Sequence, residues 1–256
     1  MDSHKIKIIA IIGMALFHLI DVFYAVLPMP IVYIFGAAGG LTFPIMGYFV
    51  VEGYKHTSDI KKYLLRLFAF GLLAAPFHML IYGFGVRFNI MFSIMLCLIT
   101  LLIYDRIKVK ALFWIFVFPI ILIASMVLIF DWVFIGVIVV MLYYLIKNET
   151  LRRIIPPVVG GLIWFAIARF SYIGLSLFEY MGDYAGVQSI LEMWSGGVYS
   201  IIAAQAMIIG CIAAAILLVY YNGERGKRMK WLFYAFYPIH LAVIGLVGLG
   251  FGFIGL

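Results

Sequence analysis

Apolar runs of about twenty residues follow one another along almost the whole chain, joined by links too short to fold by themselves. A run of that length, nearly free of charge, reads as a helix across a bilayer, because the hydrocarbon core takes about 20 helical residues to cross. Nine such segments fall at roughly 6–27, 31–53, 63–83, 88–104, 111–130, 132–146, 154–181, 197–221 and 231–255. The sixth is short, and the fifth and sixth also suit a hairpin bent at Asp131, so eight or ten spans fit the same pattern. Of the 256 residues, 67% are hydrophobic and 11% charged, which leaves no length for a separate water-soluble domain. The expected fold is all-α: a polytopic transmembrane helical bundle of about nine spans, with residues 1–256 as a single domain. The first segment lacks a small-residue cleavage site and more of the same pattern follows it, so it reads as a membrane helix rather than a signal peptide.

The net charge of +7 sits in the links. With the N-terminus placed in the cytoplasm, sixteen of the eighteen Lys and Arg residues fall on the cytoplasmic side. They lie near the N-terminus (Lys5, Lys7), around residues 55–66, around 106–110, around 147–153 and around 225–230, leaving only Arg87 and Arg169 elsewhere. That asymmetry is the positive-inside pattern of a multi-pass protein of the plasma (inner) membrane, with the lipid bilayer as its first partner. It accounts for the basic charge without nucleic acid, since no basic cluster is interleaved with exposed aromatics. Cys97 and Cys211 both lie mid-segment, where they read as packing residues rather than a disulfide or metal pair. The link around residues 179–194 is acidic and glycine-bearing, suited to a short re-entrant or interfacial element.

Ionisable side chains inside such segments must face a shared wet interior, not lipid, and they mark candidate sites. His18 and Asp21 lie one turn apart in the outer half of the first segment, so they share a face. His78 follows Pro76 in the third segment, Arg87 and Asn89 open the fourth, Asp131 closes the fifth, and His240 follows Pro238 in the ninth. A histidine in a bundle equally serves as a plain interhelical donor, and His78 suits either role. Arg169 reads as a paired charge with Glu179 or Asp183 as partner, and Glu52 as a partner for Arg66 across the short link. Lys7 and His18 are eleven residues apart, close to three turns, so they share a face about 16 Å apart along the axis. A cation at the mouth and a base deeper in the same groove suit a long anionic donor, although a lysine at that end also serves the positive-inside pattern alone. Phosphate-cradling GK[ST], HExxH and GxSxG motifs are missing, and the histidines lie on different segments without paired carboxylates, so no metal is expected.

Several stretches, in order along essentially the whole chain, resemble the TraX family of membrane proteins: Lys7-Ile-Ile-Ala10 with Met14 and His18, Thr42-Phe-Pro44, Val51-Glu52-Gly53, Arg87-Phe-Asn89, Trp132-Val-Phe-Ile-Gly136 and Tyr237-Pro238-Ile-His240. The founding member of that family is linked to N-acetylation of a pilin, and the family is similar to a larger group of transmembrane acyltransferases. In that group a basic residue, ten spacers and a histidine lie on the first helix, as Lys7 and His18 do here. Where family members usually carry aspartate before that histidine, this chain has Phe17, and Asp21 is placed to substitute one turn later. The resemblance implies transfer of an acyl group, acetyl above all, from acetyl-CoA or another acyl-CoA to an envelope or secreted acceptor: a pilin-like protein, a sugar or a small amine. His18 is then the general base and Asp21 its orienting partner. His78, Asn89, Tyr237 and His240 are candidates for the oxyanion or acceptor side. Lys7, Lys55, His56, Arg66 and Arg228 are candidates for holding CoA. The rival reading is a proton-coupled small-molecule transporter that uses the same buried histidines as a relay.

Overall fold

The computed structural model describes residues 1–83, 87–194, 197–227 and 230–254, apart from the side chains of residues 192, 193 and 230. The helices are α1 (Ser3–Phe23), α2 (Met29–Gly40), α3 (Thr42–His56), α4 (Ile60–Tyr82), α5 (Ile90–Arg106), α6 (Lys110–Leu112), α7 (Phe118–Val127), α8 (Val133–Leu145), α9 (Glu149–Met181), α10 (Tyr184–Met193), α11 (Gly197–Val219) and α12 (Lys230–Gly250). A π-helical turn, Phe113–Val117, splices α6 to α7, and α2 runs into α3 through Leu41. No strand occurs among the described residues, where the sole extended pairing is a bridge between Phe88 and Phe130. The protein is an all-α helical bundle and a multi-pass membrane protein. Seven helical stretches are long and apolar enough to cross a bilayer, whereas α5 has 17 residues and α8 has 13. The link expected to form an interfacial element folds as α10, capped by Asp183.

Local chemistry sets most boundaries. Asp2, Asp59, Asn89, Asn148 and Asp183 each precede a helix and accept a backbone N–H of its first turn, which satisfies one of the donors a helix start leaves free. Pro44, three residues into α3, has no N–H for the Gly40 carbonyl, and Cys211 Sγ supplies the donor at 3.3 Å instead. Both cysteines are buried and unpaired.

Bilayer lipid is as apolar as leucine, so helices here associate through close backbone approach and polar bonds. The segment Gly36-Ala-Ala-Gly39-Gly40 of α2 lies between α1 and α11 with carbonyl groups against its glycines. A Cβ at Gly36 would collide with Ala203, one at Gly40 with the Met207 carbonyl, and one at Gly210 with the Ala37 carbonyl. Gly39 takes the ring of Phe17, the residue that stands where an aspartate was expected. Thr42 adds a bond from α3 to the Ala10 carbonyl of α1, 3.0 Å long.

All five basic links gather at one end of the bundle. The N-terminal ammonium donates to the Tyr220 carbonyl, Ser3 N donates to Glu224 O, and Ser3 Oγ donates to Arg225 O. Arg152, 6% exposed, bonds Glu52 of α3 and Glu149 and lies over the Tyr48 ring. Glu149 also accepts from Tyr48 and Arg153, and Arg153 reaches the Tyr221 carbonyl. Tyr54 and Tyr144 share the carboxylate of Asp105. Two expected pairings are corrected here. Glu52 pairs with Arg152, not Arg66, because the end of α3 lies beside the start of α9. Arg169 makes no ion pair with Glu179 or Asp183 among the described residues; it is exposed, with its guanidinium over Tyr172.

Two outcomes follow from this architecture. Gly210→Leu forces α11 away from α2 and lowers stability by about 3 kcal/mol or more in thermal unfolding of the purified protein, whereas Gly250→Ala, with open space around it, leaves the midpoint unchanged. If the basic end faces the cytoplasm, as the positive-inside pattern expects, a membrane-impermeant maleimide on intact cells reacts with Tyr184→Cys and not with Lys61→Cys until the membrane is opened. The native Cys97 and Cys211 stay silent because both are buried.

Candidate active site

Two cavities lie end to end along one face of α1. The inner one, about 210 Å³, is lined at the basic end by Lys7, Arg225 and Lys227, with Tyr63, Phe233 and Tyr234 around them. The outer one, about 200 Å³, is lined by His18, Asp21, His78, Tyr82, Arg87 and Asp131, and by Trp132, Trp164 and Trp194. Met14, Thr42 and Ile90 line both. The eleven-residue step from Lys7 to His18 thus carries α1 from one cavity into the other.

Asp21 reaches His18 chiefly through a third residue. The Tyr82 hydroxyl donates to Asp21 Oδ2 at 2.7 Å and lies 2.7 Å from His18 Nδ1, while the direct distance from His18 Nδ1 to Asp21 Oδ2 is 3.4 Å. A hydroxyl carries one proton, and here it points to the carboxylate, so His18 Nδ1 must be the donor toward Tyr82. The neutral imidazole then keeps an unprotonated Nε2, the atom a general base uses. Tyr82 was missed in the sequence, although it lies one turn after His78 on the same face of α4, with ring centroids 4.6 Å apart. His78 Nε2 stands 3.6 Å from Asp131 Oδ1, which makes a second histidine–carboxylate pair on the same wall.

Asp131 is held by a strained turn. Ile129, Trp132 and Val133 all have positive φ, at 46°, 61° and 37°. Such backbone costs about 1–3 kcal/mol per residue and persists where its surroundings impose it. The surroundings here are the paired backbones of Phe88 and Ile129–Asp131, the stacked rings of Phe88 and Phe130 at 4.8 Å, and a bond from Ser93 Oγ to the Asp131 carbonyl.

His240 lies beside His18, with centroids 5.2 Å apart, and its Nδ1–H donates to the Phe236 carbonyl at 2.8 Å. Tyr237 is fully buried, its ring 6.4 Å from that of His18. Asn89 is committed elsewhere: its Oδ1 caps α5 at Met91 N and its Nδ2 donates to the Gly71 carbonyl, and it lines neither cavity. Among the candidates for holding CoA, Lys7 lines the inner cavity with its ammonium over Phe49. Arg66 lies over Tyr63 and Tyr234, two rings of the inner cavity wall. Lys55 and His56 are exposed at the end of α3 and line neither cavity; His56 bonds its own helix at the Glu52 carbonyl. Arg228 lies outside the described residues, and Arg225 and Lys227 of the same loop line the inner cavity instead.

Comparison with known proteins adds a relative and a family. The chain is 27% identical over 268 residues to the "Probable fimbrial assembly protein FimC, serogroup H1" of Dichelobacter nodosus, covering 95% of this chain and 94% of that protein. No solved structure matches. The family model described as TraX protein matches residues 2–248, and the chain belongs to the TraX family.

Proposed function

We propose that this protein is an acyltransferase of the plasma (inner) membrane, taking an acyl group, acetyl above all, from a coenzyme A thioester at the basic end and passing it to an acceptor in the outer cavity. One observation carries the reading: the basic cavity and the His18 cavity meet along α1 and share Met14, Thr42 and Ile90. CoA is long, with phosphates at one end and the thioester at the other. Lys7, Arg225 and Lys227 suit the phosphates, the rings of Tyr63, Phe233 and Tyr234 suit the arm, and the shared residues bring the thioester within reach of His18.

At the junction, His18 Nε2 removes a proton from the amine or hydroxyl of the acceptor as it attacks the thioester carbonyl carbon. The new C–N or C–O bond forms, the C–S bond breaks, and CoA leaves as thiolate, which takes up the proton. Asp21 and Tyr82 hold the ring in the required tautomer and stabilise the imidazolium that forms. For the developing oxyanion, a neutral His240 has no free proton to give, since its Nδ1 proton is committed to Phe236. Asn89 is likewise occupied and His78 Nε2 faces Asp131, so Tyr237, which lines neither cavity but whose hydroxyl has no hydrogen-bond partner among the described residues, is the donor left of the four candidates. The relative named for fimbrial assembly favours an acceptor in the cell envelope, with a pilin-like protein, an envelope sugar and a small amine all admitted.

The series His240, His18, Tyr82 and Asp21, with His78–Asp131 beside it, would also serve a proton-coupled transporter. Radiolabelled acetyl-CoA added to the purified protein separates the two. The acyltransferase reading expects CoA to raise the thermal midpoint and acetyl-CoA to be turned over with an added amine. His18→Ala then slows turnover by about a hundredfold or more while CoA binding persists. Tyr82→Phe slows it by about tenfold to a hundredfold, because the base stays but loses its orienting partner. Failure of CoA to bind, or turnover indifferent to His18→Ala, removes the reading.

A further inference from the structure

The outer cavity is lined by two chemically different sets of groups. One, from α1, α4 and the turn before α8, carries Asp21, Tyr82, His18, His78 and Asp131, where protons are accepted. The other comprises Trp164 and Trp194, whose ring centroids lie 6.2 Å apart, and Arg87, which precedes the Phe88 paired with the Asp131 turn. The indole Nε1–H groups of Trp164 and Trp194 are buried and have no hydrogen-bond partner among the described residues. Arg87 makes no ion pair or hydrogen bond among them either, although two carboxylates line the same cavity and are engaged with histidines. Indole and guanidinium groups only donate. Buried indole donors left unpaired are costly, so a ligand with acceptor oxygens that reaches them is favoured, and the partly exposed Arg87 favours oxygens that carry negative charge.

Charge balance narrows the ligand further. With neutral imidazoles, the cavity holds two carboxylates against one guanidinium, so a simple anion entering it adds to an existing excess of negative charge. A molecule that carries an ammonium as well as an oxyanion leaves the balance unchanged. Its ammonium is drawn toward Asp21 and Asp131, beside the base that deprotonates it, while its oxyanion meets Arg87 and the indoles.

We infer that the outer cavity is a binding site for a zwitterionic acceptor, an amine that also carries a phosphate or carboxylate, with the unpaired donors Arg87, Trp164 and Trp194 as its oxyanion-binding groups. The inference rests on the reading of this cavity as the acceptor side, but binding requires no acyl transfer. Intrinsic tryptophan fluorescence of the purified full-length protein reports it, since three of the five tryptophans line the cavity. The probes are matched pairs: O-phosphoethanolamine against ethanolamine, and glycine against glycinamide. The charged member of at least one pair binds about tenfold tighter than its partner, as one charge-assisted contact dictates, and the pair with the larger ratio identifies phosphate or carboxylate. Arg87→Gln abolishes that ratio, Arg87→Lys keeps part of it, and Trp194→Phe, which keeps a ring but loses the N–H, reduces it. Equal affinities within both pairs, or a ratio that survives Arg87→Gln, overturn the inference. Should acetyl-CoA turnover be found without the ratio, this inference falls alone; should the ratio appear without turnover, the site stands and the acyltransferase reading falls.

Discussion

The hydroxyl of Tyr82, bridging His18 and Asp21, is the interaction on which the rest of the site depends. A histidine and an aspartate inside an apolar bundle are tolerable only when bonded, and an isolated buried carboxylate is among the costliest groups a protein can hold. Placing one hydroxyl between them satisfies the carboxylate, fixes which nitrogen of the imidazole carries the proton, and leaves the other nitrogen to the cavity. It also ties the end of α1 to the end of α4, so the geometry of the base is set by helix association rather than by a flexible loop.

That association has its own physical source. Glycines 36, 39, 40 and 210 let α1, α2 and α11 approach to backbone contact, and the ion network of Glu52, Glu149, Arg152 and Arg153 clamps the basic end. Between these fixed points α1 is flanked by two voids instead of one continuous core. Arg152 is buried but Glu149 is about half exposed, so losing a partner costs less than the about 3–5 kcal/mol of a fully buried pair, and the clamp still matters to the fold at the end away from His18. The result is a bundle rigid at its small-residue seam and open along one face of α1.

Much of this was legible in the sequence, for identifiable reasons. The helices follow the apolar runs because twenty uncharged residues admit little else. His18, Asp21, His78 and His240 stood out because titratable groups are rare in such runs, and three of the four line or adjoin one cavity while His240 packs against His18. Tyr82 did not stand out, since one tyrosine among seventeen carries no compositional signal; its spacing of four from His78 was the usable clue. Asn89 before an apolar run is a helix-capping pattern, and its assignment to an oxyanion passed over that simpler role. Glu52 was matched to Arg66 by closeness in sequence, whereas its partner is a hundred residues away; helix adjacency is not written in the periodicity of a single chain. The Gly36-x-x-x-Gly40 spacing was likewise passed over, although small residues four apart on an apolar helix are a sign of close helix contact.

The central claim is that a thioester donor arrives from the basic end and places its acyl carbon beside His18. A CoA thioester whose short acyl chain carries a diazirine tests this most directly, by photocrosslinking followed by mass spectrometric location of the adduct. The account predicts adducts at Met14, Thr42, Ile90 or His18 that excess acetyl-CoA prevents. Adducts confined to Arg87, Trp164 and Trp194, or none that acetyl-CoA displaces, would contradict it.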